Sequence, residues 1–151
     1  MAQGSATVEI YRDPAVVFSA IANVTRVGEW SPECVAGRWV GDATGPAVGA
    51  KFEGDNRVAL LGVTLKKWTT TSEVTACVPG ELFEFVAEGY TTWRYRLEPT
   101  GSGTMVTESY EYAPQHGAQK FMYETLLRRP TAIVKGMQRT LAGIKKSLES
   151  Q

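Results

Sequence analysis

The sequence predicts an α+β fold: a curved antiparallel sheet of about seven strands wrapped around one long C-terminal helix, with two short helices after the first strand. Three observations carry this reading. Residues 35–113 read as consecutive strands separated by turn signals. Residues 131–148 carry a single apolar stripe at helical spacing. Between the first strand and the meander, "DPAVVFSAIAN" opens with an N-cap residue and a proline, as helices do.

The elements follow in order. "ATVEIYR" (6–12) alternates, with Val8 and Ile10 on one side and Thr7, Glu9 and Tyr11 on the other, the period of a half-buried strand. Asp13 and Pro14 start a helix that can face Val17, Phe18 and Ile21 inward. "VTRVGEW" (24–30) predicts a second, shorter helix, ended by Ser31-Pro32. "VAGRWV" leads through the loop "GDATGPAVG" to "AKFEGDNR", which puts Phe52, Gly54 and Asn56 on one face. "LKKWTTTSEVTA" has the threonine and valine content of a strand, and Val78-Pro79-Gly80 turns it into "ELFEFVAE". "TTWRYRLE" alternates Trp93, Tyr95 and Leu97 against Arg94, Arg96 and Glu98; "PTGSG" is a hairpin turn and "TMVTESYEYA" returns.

Beyond the sheet the period changes. Ile133, Met137, Leu141, Ile144 and Leu148 recur at spacings of four, four, three and four. Pro130 suits a first helical position, so "GAQKFMYETLLRR" (117–129) is expected to be a separate helix or a kinked lead-in.

Composition bounds the function. The 151 residues suit one domain, 1–151, large enough to bury a core. Sixteen basic residues balance sixteen acidic ones with no Lys/Arg run, which argues against a nucleic-acid partner. "MAQGSATVEIYRD" lacks the basic start and apolar block of a secretory signal. No apolar run approaches the roughly 20 residues that span a bilayer, so stable membrane insertion is not expected. Cys34 and Cys77 show no metal or redox spacing and read as reduced thiols of a cytoplasmic protein.

The apolar bulk assigns the inner face of the sheet. It selects Phe52, Phe83, Phe85, Trp93, Tyr95 and Leu97, then Val106, Glu108 and Tyr110 across the 97–106 hairpin, and Trp68, Thr70, Ser72 and Val74 on the strand before Pro79. A one-residue slip would reverse any of these sets. Two features are odd for a plain core. Polar groups punctuate the inner face (Asn56, Thr70, Ser72, Tyr95, Glu108, Tyr110), and a buried carboxylate is costly unless paired or hydrated. A stripe of small residues, Gly136, Thr140, Gly143 and Ser147, also flanks the apolar stripe of the helix. Close helix–sheet packing and room for a guest both account for it. In "RVGEWSPE" (26–33), a turn carries Trp30, either as a wedge closing the core or as a rim residue of a hollow.

These residues resemble the START-like (SRPBCC, helix-grip) superfamily, and more narrowly the polyketide cyclase/dehydrase and lipid-transport family. The resemblance rests on "DPAVVFSAIANVTRVGEWSPE" (13–33), "GAKFEGDNR" (49–57), "WTTTSEV" (68–74), "TTWRYRLEP" (91–99), "GTMVTESYEY" (103–112) and "GMQRTLAGIKKSLE" (136–149). It implies a sheet curled around the long helix and a hydrophobic cavity whose mouth lies near the segment carrying Trp30.

Chemistry is less legible. His116, the only histidine, stands in "APQHGAQ" with no partner visible and reads as a surface loop residue. Neither a Ser/His/Asp set nor a metal cluster is evident, and "GDATGPAVGAK" lacks the ending of a phosphate loop. The expectation is a carrier of a small hydrophobic molecule, lipid or polyketide-like, without cofactor or metal, as a monomer or homodimer. Its ligand-contacting residues are expected to be Trp30, Phe52, Asn56, Trp68, Thr70, Phe85, Trp93, Tyr95, Glu108, Tyr110, Met137 and Thr140. A cyclase, aromatase or dehydratase working in the same cavity is the alternative, with a desolvated Glu108 as acid or base. A regulatory protein-interaction module is the third reading.

Overall fold

The computed structural model describes residues 2–112 and 130–151. Seven strands form one sheet in the order β1-β7-β6-β5-β4-β3-β2, every pair antiparallel: β1 (Ala2–Ile10), β2 (Cys34–Val40), β3 (Lys51–Leu60), β4 (Val63–Val78), β5 (Leu82–Ala87), β6 (Thr91–Pro99) and β7 (Thr104–Tyr112). Strands β2 to β7 are a meander, and β1 closes the order by pairing with β7. Helix α1 (Pro14–Ala22) and a 3-10 helix (Val24–Glu29) connect β1 to β2, and α2 (Pro130–Glu149) ends the chain. This is the α+β helix-grip architecture. The predicted segment 117–129 and His116 lie outside the described residues.

Element ends differ from expectation in three places. β1 begins at Ala2 because Ala2–Ser5 find partners in Ser109–Tyr112, and it ends at Ile10, before the bend at Tyr11-Arg12. The second short helix is 3-10, capped by Asn23, whose Oδ1 accepts from Thr25 N–H at 3.1 Å. β3 and β4 extend past the residues assigned to them and meet at Leu61-Gly62. Asp13 does stand at the N-cap of α1, with Pro14 in the first turn. Its carbonyl accepts from Val17 N–H at 3.0 Å while its side chain makes no capping bond.

The apolar stripe of α2 is the one the spacing predicts. Ile133, Met137, Leu141, Ile144 and Leu148 are all buried, together with Ile10, Val17, Val74, Phe83, Leu97 and Val106. Each such side chain contributes about 1.5–3 kcal/mol by leaving water. α2 lies chiefly along β1. That approach needs Gly4: a Cβ there would stand 2.8 Å from the Tyr110 ring and 3.1 Å from Val134. Polar ties fix the far end. Arg12 Nη1 donates to Leu148 O at 2.5 Å, Lys145 Nζ to Glu9 O at 2.8 Å, and Tyr11 N–H to Glu149 at 2.9 Å.

Candidate functional site

The register of β5, β6 and β7 builds the inner face in layers. Leu97 pairs with Val106, Tyr95 with both Phe83 and Glu108, and Trp93 with both Phe85 and Tyr110. On the other half of the sheet Asn56 pairs with Trp68, Gly54 with Thr70 and Phe52 with Ser72. All of these residues therefore share the face that the alternation assigned to the interior. Two aromatic runs result. Trp39, Phe52, Phe85, Phe83 and Phe18 touch in succession with ring centroids 5.0–6.4 Å apart. Trp93, Tyr110 and Tyr112 form the second, at 5.7 and 6.1 Å.

Burial divides this face. Phe52, Ser72, Val74, Phe83, Leu97, Val106, Glu108 and Tyr110 are buried, whereas Asn56, Trp68, Thr70, Phe85, Trp93 and Tyr95 are only half-buried although they point inward. The half-buried set is not filled by the described helices. Gly136 on α2 likewise has no described heavy atom within 4 Å of the place a Cβ would occupy.

Glu108, on β7, is a buried residue paired with the half-buried Tyr95 of β6. It is 4% exposed, and its Oε2 accepts from the Tyr95 hydroxyl at 3.0 Å. Its Oε1 is buried and has no hydrogen-bond partner among the described residues. Burial pushes the carboxyl up to about 8, against a smaller downward pull from the Tyr95 hydrogen bond. The Tyr95 phenol is pushed well above its ordinary range, first by burial and then by the neighbouring carboxyl. Both groups are thus neutral at pH 7.

Asn56 Nδ2 donates to Gly54 O at 3.1 Å and lies 3.3 Å from Thr70 Oγ1. Cys34 was not among the predicted site residues, yet it faces inward beside them. Its Sγ lies 3.0 Å from the place a Gly54 Cβ would occupy, and burial raises its thiol pKa. A bulge between Cys34 and Ala36 turns it there, so alternation counted from Val35 could not place it. Among the described residues no group of three His, Cys, Asp or Glu side chains is placed to hold a metal ion.

Trp30 ends the 3-10 helix, 8% exposed, with Arg26 over its ring at 5.2 Å. Its backbone lies against Gly143: a Cβ on that glycine would stand 2.8 Å from Trp30 Cβ and 2.9 Å from its carbonyl oxygen. The small-residue stripe is therefore split in its use. Gly143 permits close approach to Trp30, and Ser147 lies 3.2 Å from Glu29, while Gly136 faces open space among the described residues. Met137 and Thr140 are buried on the same helix, and the Thr140 hydroxyl is bonded to Gly136 O at 3.0 Å. Two surface clefts stand out: one of about 580 Å³ along residues 40–51, the other of about 610 Å³ between Val35, Asn56 and Trp68. Of the predicted residues, Asn56 and Trp68 line the second.

The comparisons with known proteins match this architecture. The family model described as "Polyketide cyclase / dehydrase and lipid transport" matches residues 1–149. The solution structure of the polyketide-cyclase-like protein Cgl2372 from Corynebacterium glutamicum is 32% identical, with a TM-score of 0.66 over 97% of this chain and 91% of that one. A Chromobacterium violaceum protein of known crystal structure gives a TM-score of 0.74 at 15% identity, over 98% and 97% of the two chains. An AHSA1-like protein from Aeromonas hydrophila gives 0.69 at 16% identity, over 98% and 92%. No curated protein sequence matches. With its seven-stranded curved sheet, its C-terminal helix and a family match over nearly its whole length, the chain belongs to the polyketide cyclase/dehydrase and lipid-transport family of the START-like superfamily.

Proposed function

We propose that the protein, acting as one domain, binds and carries a small hydrophobic molecule, lipid or polyketide-like, in the hollow bounded by the half-buried inner face and α2. The observation that carries this reading is Glu108: a buried carboxyl with one oxygen bonded to Tyr95 and the other unpartnered among the described residues, set among aromatic side chains. A buried polar atom without a partner costs about 1–3 kcal/mol, and a hydroxyl or carbonyl on an otherwise apolar guest would relieve that cost. Apolar walls with a few orienting polar groups are the usual make-up of a small-molecule site. In this reading Phe85, Trp93 and Tyr110 form walls, Asn56, Trp68 and Thr70 line the approach, and Phe52, Met137, Thr140 and Trp30 bound the far side. The two free thiols, Cys34 and Cys77, suit a reducing, cytoplasmic setting.

Carriage is preferred to cyclisation because, among the described residues, Glu108 and Tyr95 hydrogen-bond to each other and no further proton donor or acceptor is bonded to the pair. Native mass spectrometry of protein purified gently from its own cells should show a retained apolar molecule. Trp93→Ala, at a half-buried position, should weaken binding of an apolar fluorescent probe by about tenfold through lost contact area. Unchanged affinity would remove Trp93, and with it this hollow, from the reading.

A further inference from the structure

The β3–β4 hairpin is built unlike the rest of the sheet. β2 leaves β3 at Asn56 and β5 leaves β4 at Ser72, with one further backbone bond on each side, Arg57 N–H to Glu33 O and Glu88 N–H to Thr71 O. Beyond these the two strands run on as a two-stranded ribbon, unpaired among the described residues, to the turn at Leu61-Gly62. The turn has positive φ at both residues, 53° at Leu61 and 81° at Gly62. Two-residue turns of this kind favour Asn-Gly or Asp-Gly, so a leucine is held at the apex against local preference. Leu61 is 94% exposed, Val63 62%, Leu65 63% and Val58 41%. Val58 lies on the face of Asn56 and Trp68, and Val63, which pairs with Leu60 beyond the register shift at Val58/Ala59, falls on that same face; these exposed apolar side chains meet no core among the described residues.

At the base the chemistry changes. Arg57 and Lys67 are direct cross-strand partners, two cations opposed where opposite charges would be stabilising. Lys66 lies beside them with its ammonium 5.6 Å from the Trp68 ring. From residue 56 to 72 the chain carries no acid. The carboxylate nearest in sequence, Asp55, is occupied by Arg38 at 2.8 Å and Thr69 at 3.1 Å. Arg57 and Lys67 both line the cleft of about 610 Å³ at the ribbon's base.

We infer that this hairpin is a peripheral docking element for anionic lipid bilayers, with Leu61, Val63 and Leu65 entering the interface and Arg57, Lys66 and Lys67 meeting the phosphates. The dimensions agree. Four residues of strand separate Leu61 from Arg57, about 13 Å, which sets the cations near headgroup level when the tip is buried about 5–10 Å. Trp68 stands at the same level, where indole rings collect. A second copy of the chain is a poorer occupant. Tip-to-tip pairing would bring three cations from each copy together with no acid on either ribbon to meet them. Surface docking of this kind needs no spanning segment, and no helix among the described residues is long and apolar enough to cross a membrane.

The test is sedimentation with vesicles of phosphatidylcholine alone or with about 30 mol% phosphatidylglycerol, near physiological salt. The wild-type chain should partition onto the anionic vesicles at least about tenfold more strongly than onto neutral ones. Leu61→Asp should lower that partitioning about tenfold or more, since aspartate tolerates the turn conformation but not the interface. The double variant Arg57→Glu, Lys67→Glu should lower it by about as much. Both variants change exposed residues, and retained melting temperatures would verify that they fold. Absence of binding to anionic vesicles, or equal binding by wild type and Leu61→Asp, would overturn the inference. So would a concentration-dependent dimer, seen by sedimentation velocity without vesicles, that Leu61→Asp abolishes. Leu61 stands at the far end of the ribbon from Asn56 and Trp68, so the Leu61→Asp result is read independently of probe binding at Trp93, whereas Arg57 and Lys67 share their cleft with Asn56 and Trp68.

Discussion

Glu108→Gln is expected to flatten the dependence of stability on pH and to make the protein more stable than wild type above neutrality. The carboxyl has an ordinary value of 4.5 and stands at about 8 in the folded protein because it is buried. Between those values the unfolded chain has released the proton and the native state still holds it. The native state then binds more protons, so stability falls as pH rises. The contribution is fully present below about pH 4.5, declines by about 1.4 kcal/mol per pH unit, and is lost as pH passes about 8. The whole window is worth at most about 5 kcal/mol. Glutamine has the same shape, can still accept the Tyr95 hydroxyl, and carries no proton to lose. At pH 8 the variant should gain about 3 kcal/mol over wild type, with the two nearly equal at pH 5. Tyr95→Phe removes the hydrogen bond that favours the charged carboxylate, so it should carry the wild-type decline to still higher pH. Urea unfolding at unit intervals from pH 5 to 8 measures all three proteins. Parallel curves for wild type and Glu108→Gln would mean that the carboxyl ionises normally, and the neutral anchor would go with it.

That a carboxyl occupies this position could be read before the structure, because β5, β6 and β7 alternate without interruption. Period two leaves only two choices of face for each strand, and the bulk of Phe83, Trp93, Tyr95, Leu97 and Tyr110 decides between them. The hairpin turn at 99–103 then brings Leu97 opposite Val106 and Tyr95 opposite Glu108. The helical stripe from Ile133 to Leu148 was equally plain, since nothing but α-helix puts those five residues on one side. Other parts obeyed physics that alternation does not record. The apolar run Val58–Leu65 has no period of two, and its turn holds a leucine where turn chemistry asks for asparagine, so the hairpin was invisible. A bulge turned Cys34 inward. The role of Trp30 depended on which of two stripes of α2 approached it: Gly143 receives its backbone, while Gly136 meets no described atom.

Gly37→Ala is expected to be among the most damaging single-methyl changes at the described residues, and it bears on how Trp30 is held. The 3-10 helix runs against β2 through two glycines. A Cβ on Gly28 would overlap the Val35 carbonyl, and one on Gly37 would overlap the Val24 carbonyl. In each case the obstacle is backbone, which cannot swing aside as a side chain does. An alanine at 37 must push the 3-10 helix off the sheet. Trp30, at the end of that helix, would then be drawn from the surface of Gly143. Overpacking typically costs 1–3 kcal/mol, and an overlap with main chain belongs at the upper end, about 3 kcal/mol. For a chain of this length that lowers the melting temperature by about 6–12 °C. Gly136→Ala is the matching control on α2. With no described atom near its Cβ it should gain about 0.5–1 kcal/mol from helix propensity alone. Calorimetry of the two variants separates a glycine retained for contact from one that no contact among the described residues requires. A loss below about 0.5 kcal/mol for Gly37→Ala would show that the 3-10 helix is free to shift, and that Trp30 is not held by the packing described.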